Sequence, residues 1–471
     1  MNDKSYDVIV IGAGPAGYVC AIRCAQLGMS VACIDEWSDK NNKASPGGTC
    51  LNVGCIPSKA LLDSSHHFAF LKQEAAEHGI QCADPKMDVA AMQKRKNKVV
   101  KTLTTGVKGL LKKNKVDFFH GTASLKSSTQ VSISITDDNS IIQANNIVIA
   151  SGSKPFELPT IPVDQKIIVD STGALEFTEV PNHLGVIGAG VIGLEMASVW
   201  SRLGAKVTIW EGESQFLHVV DKDIANQASK IFAKQGLNVQ LNSRVTEVKP
   251  STNSVSVVVE SDNSSETIEV DKLLVAIGRV ANTENLNLAD VGVTTNDKGF
   301  IEVNNQWKTH ADNIFAIGDV VGGAMLAHKG SEEGVAVAEI LAGQHGEVNT
   351  AIPWVIYTWP EISWAGATEQ ELQANGSEYK TGSFPFMALG RARAMGSTEG
   401  LIKFIADANT DRLLGVHILG PSASELIAEA VVAIESELSA EDLARTIHAH
   451  PTLSEGMHEA ALAVDERAIH I

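Results

Sequence analysis

Residues 6–35 read YDVIVIGAGPAGYVCAIRCAQLGMSVACID, and the order of patterns within this stretch decides the fold. A β-branched run reaches Gly12, apolar residues then recur at helical spacing as far as Gly28, and a second apolar run, SVACI, ends at Asp35. Strand, glycine turn, helix and strand in that order predict a parallel α/β sheet. Residues 184–211, LGVIGAGVIGLEMASVWSRLGAKVTIWE, repeat the plan, so the chain carries two copies of one Rossmann-like, dinucleotide-binding unit.

Gly12, Gly14 and Gly17 form G-x-G-x-x-G in the first copy, and Gly188, Gly190 and Gly193 form it in the second. This spacing permits a tight turn, lets backbone N–H groups approach a pyrophosphate, and seats the helix close to the strand, while the helix N-terminus favours negative charge. The glycines alone are a weak signal. An acid stands eighteen residues after the last glycine in both copies, Asp35 and Glu211, where a carboxylate accepts hydrogen bonds from an adenosine ribose. The segment IWEGESQF around Glu211 offers no base for a 2′-phosphate, which favours NAD over NADP. Asp319, after the strand-like NIFAIG, is either a carboxylate for a flavin ribitol hydroxyl or an ordinary cap of the next helix.

Between the copies lie a lysine-rich, helix-like stretch, residues 94–115, and alternating runs such as QVSISITDDNSIIQANNIVIASG that predict hairpins. NSVSVVVESDNSSETIEVDKLLVAIGR does the same after the second copy. Near residue 281 the chain is expected to leave the second unit and return to the first through NIFAIGDVVGGAMLAHKG. Beyond about residue 351 the tryptophan-rich WVIYTWPEISWAG, the strand-like LIKFI and LLGVHILG and the amphipathic ELIAEAVVAIESEL indicate a separate α+β domain. The expected division is 1–153, 154–281, 282–350 and 351–471.

At 471 residues the chain exceeds one core of usual size. Its 38 basic and 56 acidic residues give a net charge of −18, which repels a phosphate backbone, so nucleic acid is not expected as a partner. The opening MNDKSYD lacks the charged, apolar and cleavage segments of an export signal, and no apolar run has the length of a membrane span, so a cytoplasmic location is expected. Six cysteines are too few for a secreted disulfide framework. Cys20, Cys24, Cys33 and Cys82 read as inert buried thiols, and with only the adjoining His66 and His67 nearby, no metal site is expected.

Cys50 and Cys55 are the close pair, in residues 47–62, GGTCLNVGCIPSKALL. In a reducing compartment such a pair is more often catalytic or metal-binding than structural. Pro57 suits the first turn of a helix, which puts Cys55 at a helix N-terminus whose partial positive charge stabilises a thiolate. Lys59 lies one helical turn further on. An electron carrier exchanging with these thiols belongs to the first copy, and the isoalloxazine of FAD is suited to that task. Dithiol chemistry also needs a base, and HAHPTLSEGMHEA near the C-terminus offers His450, with Glu455 to orient it. Thr452 and Glu455 equally match a capping box, which by itself explains both.

Together, GGTCLNVGCIPSKALL, the two glycine fingerprints, AIGDVVGGAMLAHKG and HAHPTLSE resemble the dihydrolipoamide dehydrogenases, flavoproteins of the pyridine nucleotide-disulfide oxidoreductase family, from about residue 5 to about residue 465. The resemblance implies FAD in the first copy, NAD in the second and a C-terminal dimerisation domain. It implies that Cys55 is the thiol nearest the flavin, that Cys50 exchanges with substrate, and that His450 and Glu455 serve the disulfide of the partner subunit in a homodimer. Lys59 resembles the lysine near the flavin, with Glu195 as its partner; Gly121, Asp319 and Ala327 match FAD-contacting positions, and Val245 and Gly278 NAD-contacting ones. The implied partners are the lipoyl domains and acyltransferase core of 2-oxo acid dehydrogenase complexes. Asp35 stands where the family commonly has Glu, and Ala150-Ser151-Gly152 replaces the more usual Ala-Thr-Gly. Two related disulfide reductases fit less well: glutathione reductase prefers NADP, which Glu211 opposes, and mercuric reductase carries a C-terminal cysteine pair, whereas no cysteine follows Cys82. A non-catalytic scaffold of the same fold would have no need of the cysteine pair or His450.

Overall fold

The strand Ser5–Ile11 lies inside a seven-stranded sheet of the computed structural model, which describes residues 4–135, 138–262 and 264–471. Val31–Asp35 pairs parallel to it on one side and Asp138–Ile149 on the other, and Asp117–His120 and Ile314–Ala316 extend the parallel part. Both faces of such a sheet must be covered, and the alternation of the strand divides its residues accordingly. Val8 and Val10 pack with Cys20, Cys24, Cys33 and Val337 in one core, while Ile9 and Ile11 pack with Ile34, Ile147 and Ile149 in another. Cys82, expected to be buried like the other three lone cysteines, is instead exposed, because it lies in an irregular segment outside these cores. The helices Pro15–Gln26 and Ala327–Leu341 approach closely on the first of these faces. A side chain at Gly334 would begin 2.6 Å from the carbonyl oxygen of Ala16.

Asp138–Ile149 serves two pairings. Its first half is antiparallel to Gln130–Ile135, as the alternating sequence predicts, and its second half is a central parallel strand. Residues 136 and 137, between these strands, lie outside the described residues. These elements belong to a unit made of Met1–Ala60, Ala91–Phe156 and Gly278–Val348.

A second unit comprises Leu61–Ala90, Glu157–Ile277 and Asn349–Ile471. It contains a five-stranded parallel sheet in the order Leu237–Gln240, Lys206–Trp210, His183–Ile187, Lys272–Val275, Ile168–Val169, beside an antiparallel sheet of Arg244–Pro250, Val255–Ser261 and Ser264–Val270. Residue 263, in the second expected hairpin, is outside the described residues. The C-terminal portion is an antiparallel five-stranded sheet, Trp354–Ile356, Glu361–Gly366, Leu413–Gly420, Leu401–Asp407 and Tyr379–Pro385, whose core includes residues of the helices Ala423–Glu435 and Glu455–Ala463. Gly382 lets the last helix approach: a side chain there would begin 2.3 Å from the backbone nitrogen of Val464. Among the described residues no helix is long and apolar enough to cross a membrane.

Candidate active site

The two glycine turns are built alike. Gly12 has φ +102° and Gly188 φ +100°, values that favour glycine. A Cβ on Gly12 would lie 2.3 Å from the carbonyl oxygen of Ala150, and on Gly188 2.5 Å from that of Ala276. The third glycine of each motif packs against the first: added carbons on Gly17 and Gly193 would sit 1.9 and 2.1 Å from the carbonyls of Gly12 and Gly188. Each acid then braces its turn. Asp35 accepts from the N–H groups of Ala13 at 2.6 Å and Trp37 at 3.0 Å, and Glu211 from those of Ala189 at 2.8 Å and Glu213 at 3.0 Å.

Asp35 is buried, and burial pushes its carboxyl up to about 6, although the two N–H donors and His120 pull the other way. Two N–H bonds leave lone pairs unused, so this desolvated carboxylate can still accept from hydroxyl donors such as those of a ribose. The surroundings fit the adenosine half of a dinucleotide. Gly121 donates its N–H to the carbonyl of Asp35. Asp319, in the short 3-10 turn Gly318–Val321, accepts from Ser153 Oγ at 2.5 Å through one oxygen. Ala327 is the first residue of its helix, and among the described residues no side chain caps that N-terminus.

The cysteine loop is seated on the first turn. Gly48 has φ +58°, and a Cβ there would lie 2.6 Å from Gly14 Cα, so the two backbones touch where the second copy has open space at Gly190. Cys50 sits in the helix Gly48–Val53, Gly54 breaks it, and Cys55 opens the helix Cys55–Gln73, with Pro57 in its first turn as the sequence predicts. Ser45 and the carbonyl of Gly48 both hold the side chain of Asn52, which fixes the first of these helices. Asn52 is a positioning residue that sequence reading passed over; an Asn in a helix interior was the available signal. The Cys50 thiol hydrogen-bonds with the Cys55 side chain, and this bond, with burial, raises Cys50 far above the ordinary thiol range, against the charge of Lys59. The two sulfurs therefore titrate as one coupled pair, sharing a proton in the dithiol form.

In the second unit, His450 Nδ1 lies 2.8 Å from Glu455 Oε1, and the other oxygen of Glu455 accepts from Thr452 N–H at 2.8 Å. Facing a carboxylate, Nδ1 carries the hydrogen, which leaves the Nε2 lone pair of a neutral ring available as a base. Burial raises Glu455, but the Thr452 and His450 donors outweigh it and hold the carboxyl below its ordinary value. Only half of the expected capping box forms. The helix begins at Glu455 after Ser454, and the Thr452 hydroxyl donates to Ala449 instead of receiving a helical N–H. Glu455 thus holds the ring of His450 and closes the turn ahead of its own helix, while no side chain caps that helix among the described residues.

His450 is 80% exposed and borders a cavity of about 430 Å³ also lined by Phe384, Leu389, His448 and His458. His448 is held at both ring nitrogens: Nε2 meets Glu429 Oε1 at 2.7 Å and Nδ1 the carbonyl of Thr446 at 2.9 Å. Two acceptors demand two hydrogens, and the Glu429 bond accordingly raises its pKa. Glu195 is buried on the helix Val191–Leu203 and accepts from Tyr357 N–H. Near Glu211 the structure supplies a base that local sequence lacked: the side chain of Arg244 lies 3.7 Å from where a Gly212 side chain would begin, in a cavity of about 290 Å³ next to Val245. Gly278 has φ +129° and accepts from Phe156 N–H.

Residues 6–334 match the family described as pyridine nucleotide-disulphide oxidoreductase, and residues 352–461 its dimerisation domain. The dihydrolipoyl dehydrogenase of Cupriavidus necator is 49% identical over 472 residues, covering 99% of this chain and 100% of that one. The mitochondrial dihydrolipoyl dehydrogenase of Pisum sativum is 46% identical over 469 residues, covering 99% and 92%. Among solved structures, the Cu(II) complex of the HOCl-induced flavoprotein disulfide reductase RclA from Escherichia coli has a TM-score of 0.86 at 30% identity, covering 98% of this chain and 99% of that one.

Proposed function

This chain belongs to the pyridine nucleotide-disulphide oxidoreductases, and from that premise we propose that it oxidises protein-bound dihydrolipoamide to lipoamide and reduces NAD⁺ to NADH. It is a dihydrolipoyl dehydrogenase with FAD and NAD as cofactors, a homodimer through its C-terminal domain, and the peripheral subunit of a 2-oxo acid dehydrogenase complex in the cytoplasm. The observation that carries the reading is the hydrogen-bonded Cys50–Cys55 pair resting on the first glycine turn. The functional domains are FAD-binding, 1–153 with 282–350; NAD-binding, 154–281; and interface, 351–471.

FAD, when bound, supplies a two-electron relay between the cysteines and NAD⁺. Gly12, Gly14, Gly17, Asp35, Gly121, Asp319 and Ala327 would hold it, with Lys59 beside the reactive ring; Gly188, Gly190, Gly193, Glu211, Val245 and Gly278 would hold NAD, and the family resemblance assigns Glu195 to the cofactor-binding set. The chain's own chemistry begins with Cys50 and Cys55 as a disulfide. His450 Nε2, serving the disulfide of the partner subunit, takes a proton from one substrate thiol, and the thiolate attacks Cys50 Sγ. The Cys50–Cys55 bond breaks and Cys55 leaves as thiolate. The second substrate thiol closes the lipoamide ring by attacking its own mixed disulfide; that bond breaks, and the proton of the second thiol passes to the Cys50–Cys55 pair. Glu455 keeps the hydrogen on Nδ1 throughout and stabilises the imidazolium.

His450→Gln tests the reading in an assay of NAD⁺ reduction by dihydrolipoamide. The expected loss is about 100-fold or more, with electron transfer from NADH to an artificial acceptor kept within about twofold. Equal loss of both activities would remove His450 from its assigned place.

A further inference from the structure

The helix Val89–Lys113 carries eight basic residues and no acid in a chain whose net charge is −18. Met92, Thr104, Val107 and Leu111 bury its inner edge. At 100° per residue, Lys94, Lys98, Lys101, Lys108 and Lys112 fall within about 80° of arc on the outer face, a stripe roughly 27 Å long. All five are exposed, and none pairs with a carboxylate among the described residues. Along the other flank Val99, Leu103, Gly106 and Leu110 form an apolar strip, with Leu103 40% and Leu110 46% exposed. Neither stripe does anything for the dinucleotide turns.

Location gives the helix its meaning. Val107 and Leu111 share a core with Cys50, Leu51 and Ile56, and Arg95 Nη1 donates at 2.9 Å to the carbonyl of Ala60, five residues beyond Cys55. The helix thus shares a core with the cysteine loop and is tied to the helix that Cys55 opens. We propose that its outer face docks an acidic carrier domain bearing the dihydrolipoyl arm, an inference that rests on the reaction proposed above. A basic partner would meet attraction over most of this negative chain and need no special strip, whereas an acidic partner is repelled except where the field reverses. The reaction calls for one macromolecule near the cysteines, the domain to which its substrate is tethered, and a basic stripe on one flank of the exposed face, with an apolar strip on the other, selects a negatively charged one.

The test compares two substrates on the full-length holoenzyme at low ionic strength: free dihydrolipoamide, and an isolated, reduced lipoyl domain of net negative charge. For Lys98→Glu/Lys101→Glu/Lys108→Glu, KM for the domain should rise about tenfold or more and lose its dependence on salt, while free dihydrolipoamide turns over as in the unaltered protein. The neutral Lys98→Gln/Lys101→Gln should fall between. Unchanged KM for the domain overturns the proposal. So does a lysine-dependent shift in sedimentation, or lysine-dependent binding to phosphatidylserine vesicles, without a change in that KM. Failure of the unaltered protein to oxidise free dihydrolipoamide strikes the reaction itself and the docking site with it.

Discussion

Asp35 shows how one residue can be shaped for a ligand. Its carboxyl is held at about 6 by burial, above the ordinary value near 3.9, so folding favours the protonated form. The sign follows: this contribution to stability is complete below about pH 3.9 and is lost as pH rises through about 6, on the order of 3 kcal/mol. Flavin-stripped protein should therefore lose stability across that window, and Asp35→Asn should flatten the loss when Tm is followed against pH. On the proposed reading, restoring the flavin supplies hydroxyl donors to the carboxylate, so the slope should shrink in the unaltered protein too. The sequence made Asp35, Glu211, the cysteines and the His450–Glu455 pair legible because each belongs to a short local pattern. His448 with Glu429 and Arg244 with Gly212 were not, since their partners come from separate strands or helices and leave no periodic trace.

Elements explain why the cysteine pair sits where it does. Gly48 and Gly79 both have positive φ, but a side chain at Gly48 would strike Gly14 whereas Gly79 has nothing within 4 Å. Gly79→Ala should cost about 1 kcal/mol, the conformational penalty alone. Gly48→Ala should cost about 2–4 kcal/mol in chemical denaturation and also loosen the flavin, read as faster loss of its colour on dialysis. Equal costs at the two positions would mean that contact between the glycine turn and the cysteine helix matters little. The sequence announced both glycine turns and the helix opening at Cys55, yet it did not reveal that Gly48 rests on Gly14. Likewise it read Asp138–Ile149 as a hairpin strand, because alternation reports one half-buried face and is silent on a strand whose second half becomes central.

Over the whole chain, the least legible feature is a buried charge cluster within the second unit. Lys403, 2% exposed on Leu401–Asp407, reaches Asp221 at 3.0 Å, Asp223 at 2.6 Å and Glu369 at 2.5 Å, tying the helices Lys222–Lys234 and Glu369–Asn375 to the C-terminal sheet. Burial lowers the Lys403 pKa, but the three carboxylates outweigh it and raise the value, while Asp221 stays below its ordinary range. The pair's stabilisation is complete between the ordinary Asp and Lys values and is lost as pH falls through the depressed Asp221 value or rises through the elevated Lys403 value. Lys403→Met should lower unfolding stability by about 3–5 kcal/mol, because fully buried Asp221 is left uncompensated. No motif foretold it, since its members lie up to 182 residues apart. The duplicated nucleotide-binding plan and the change of texture near residue 351 were, by contrast, visible at this scale. The most direct test of the redox account is mass-spectrometric alkylation of residues 47–59 before and after dihydrolipoamide is added without NAD⁺. The account predicts that Cys50 and Cys55 are both protected at first and both labelled afterwards, with buried Cys20, Cys24 and Cys33 unlabelled throughout in the folded protein. Labelling of Cys50 and Cys55 that is the same before and after would contradict it.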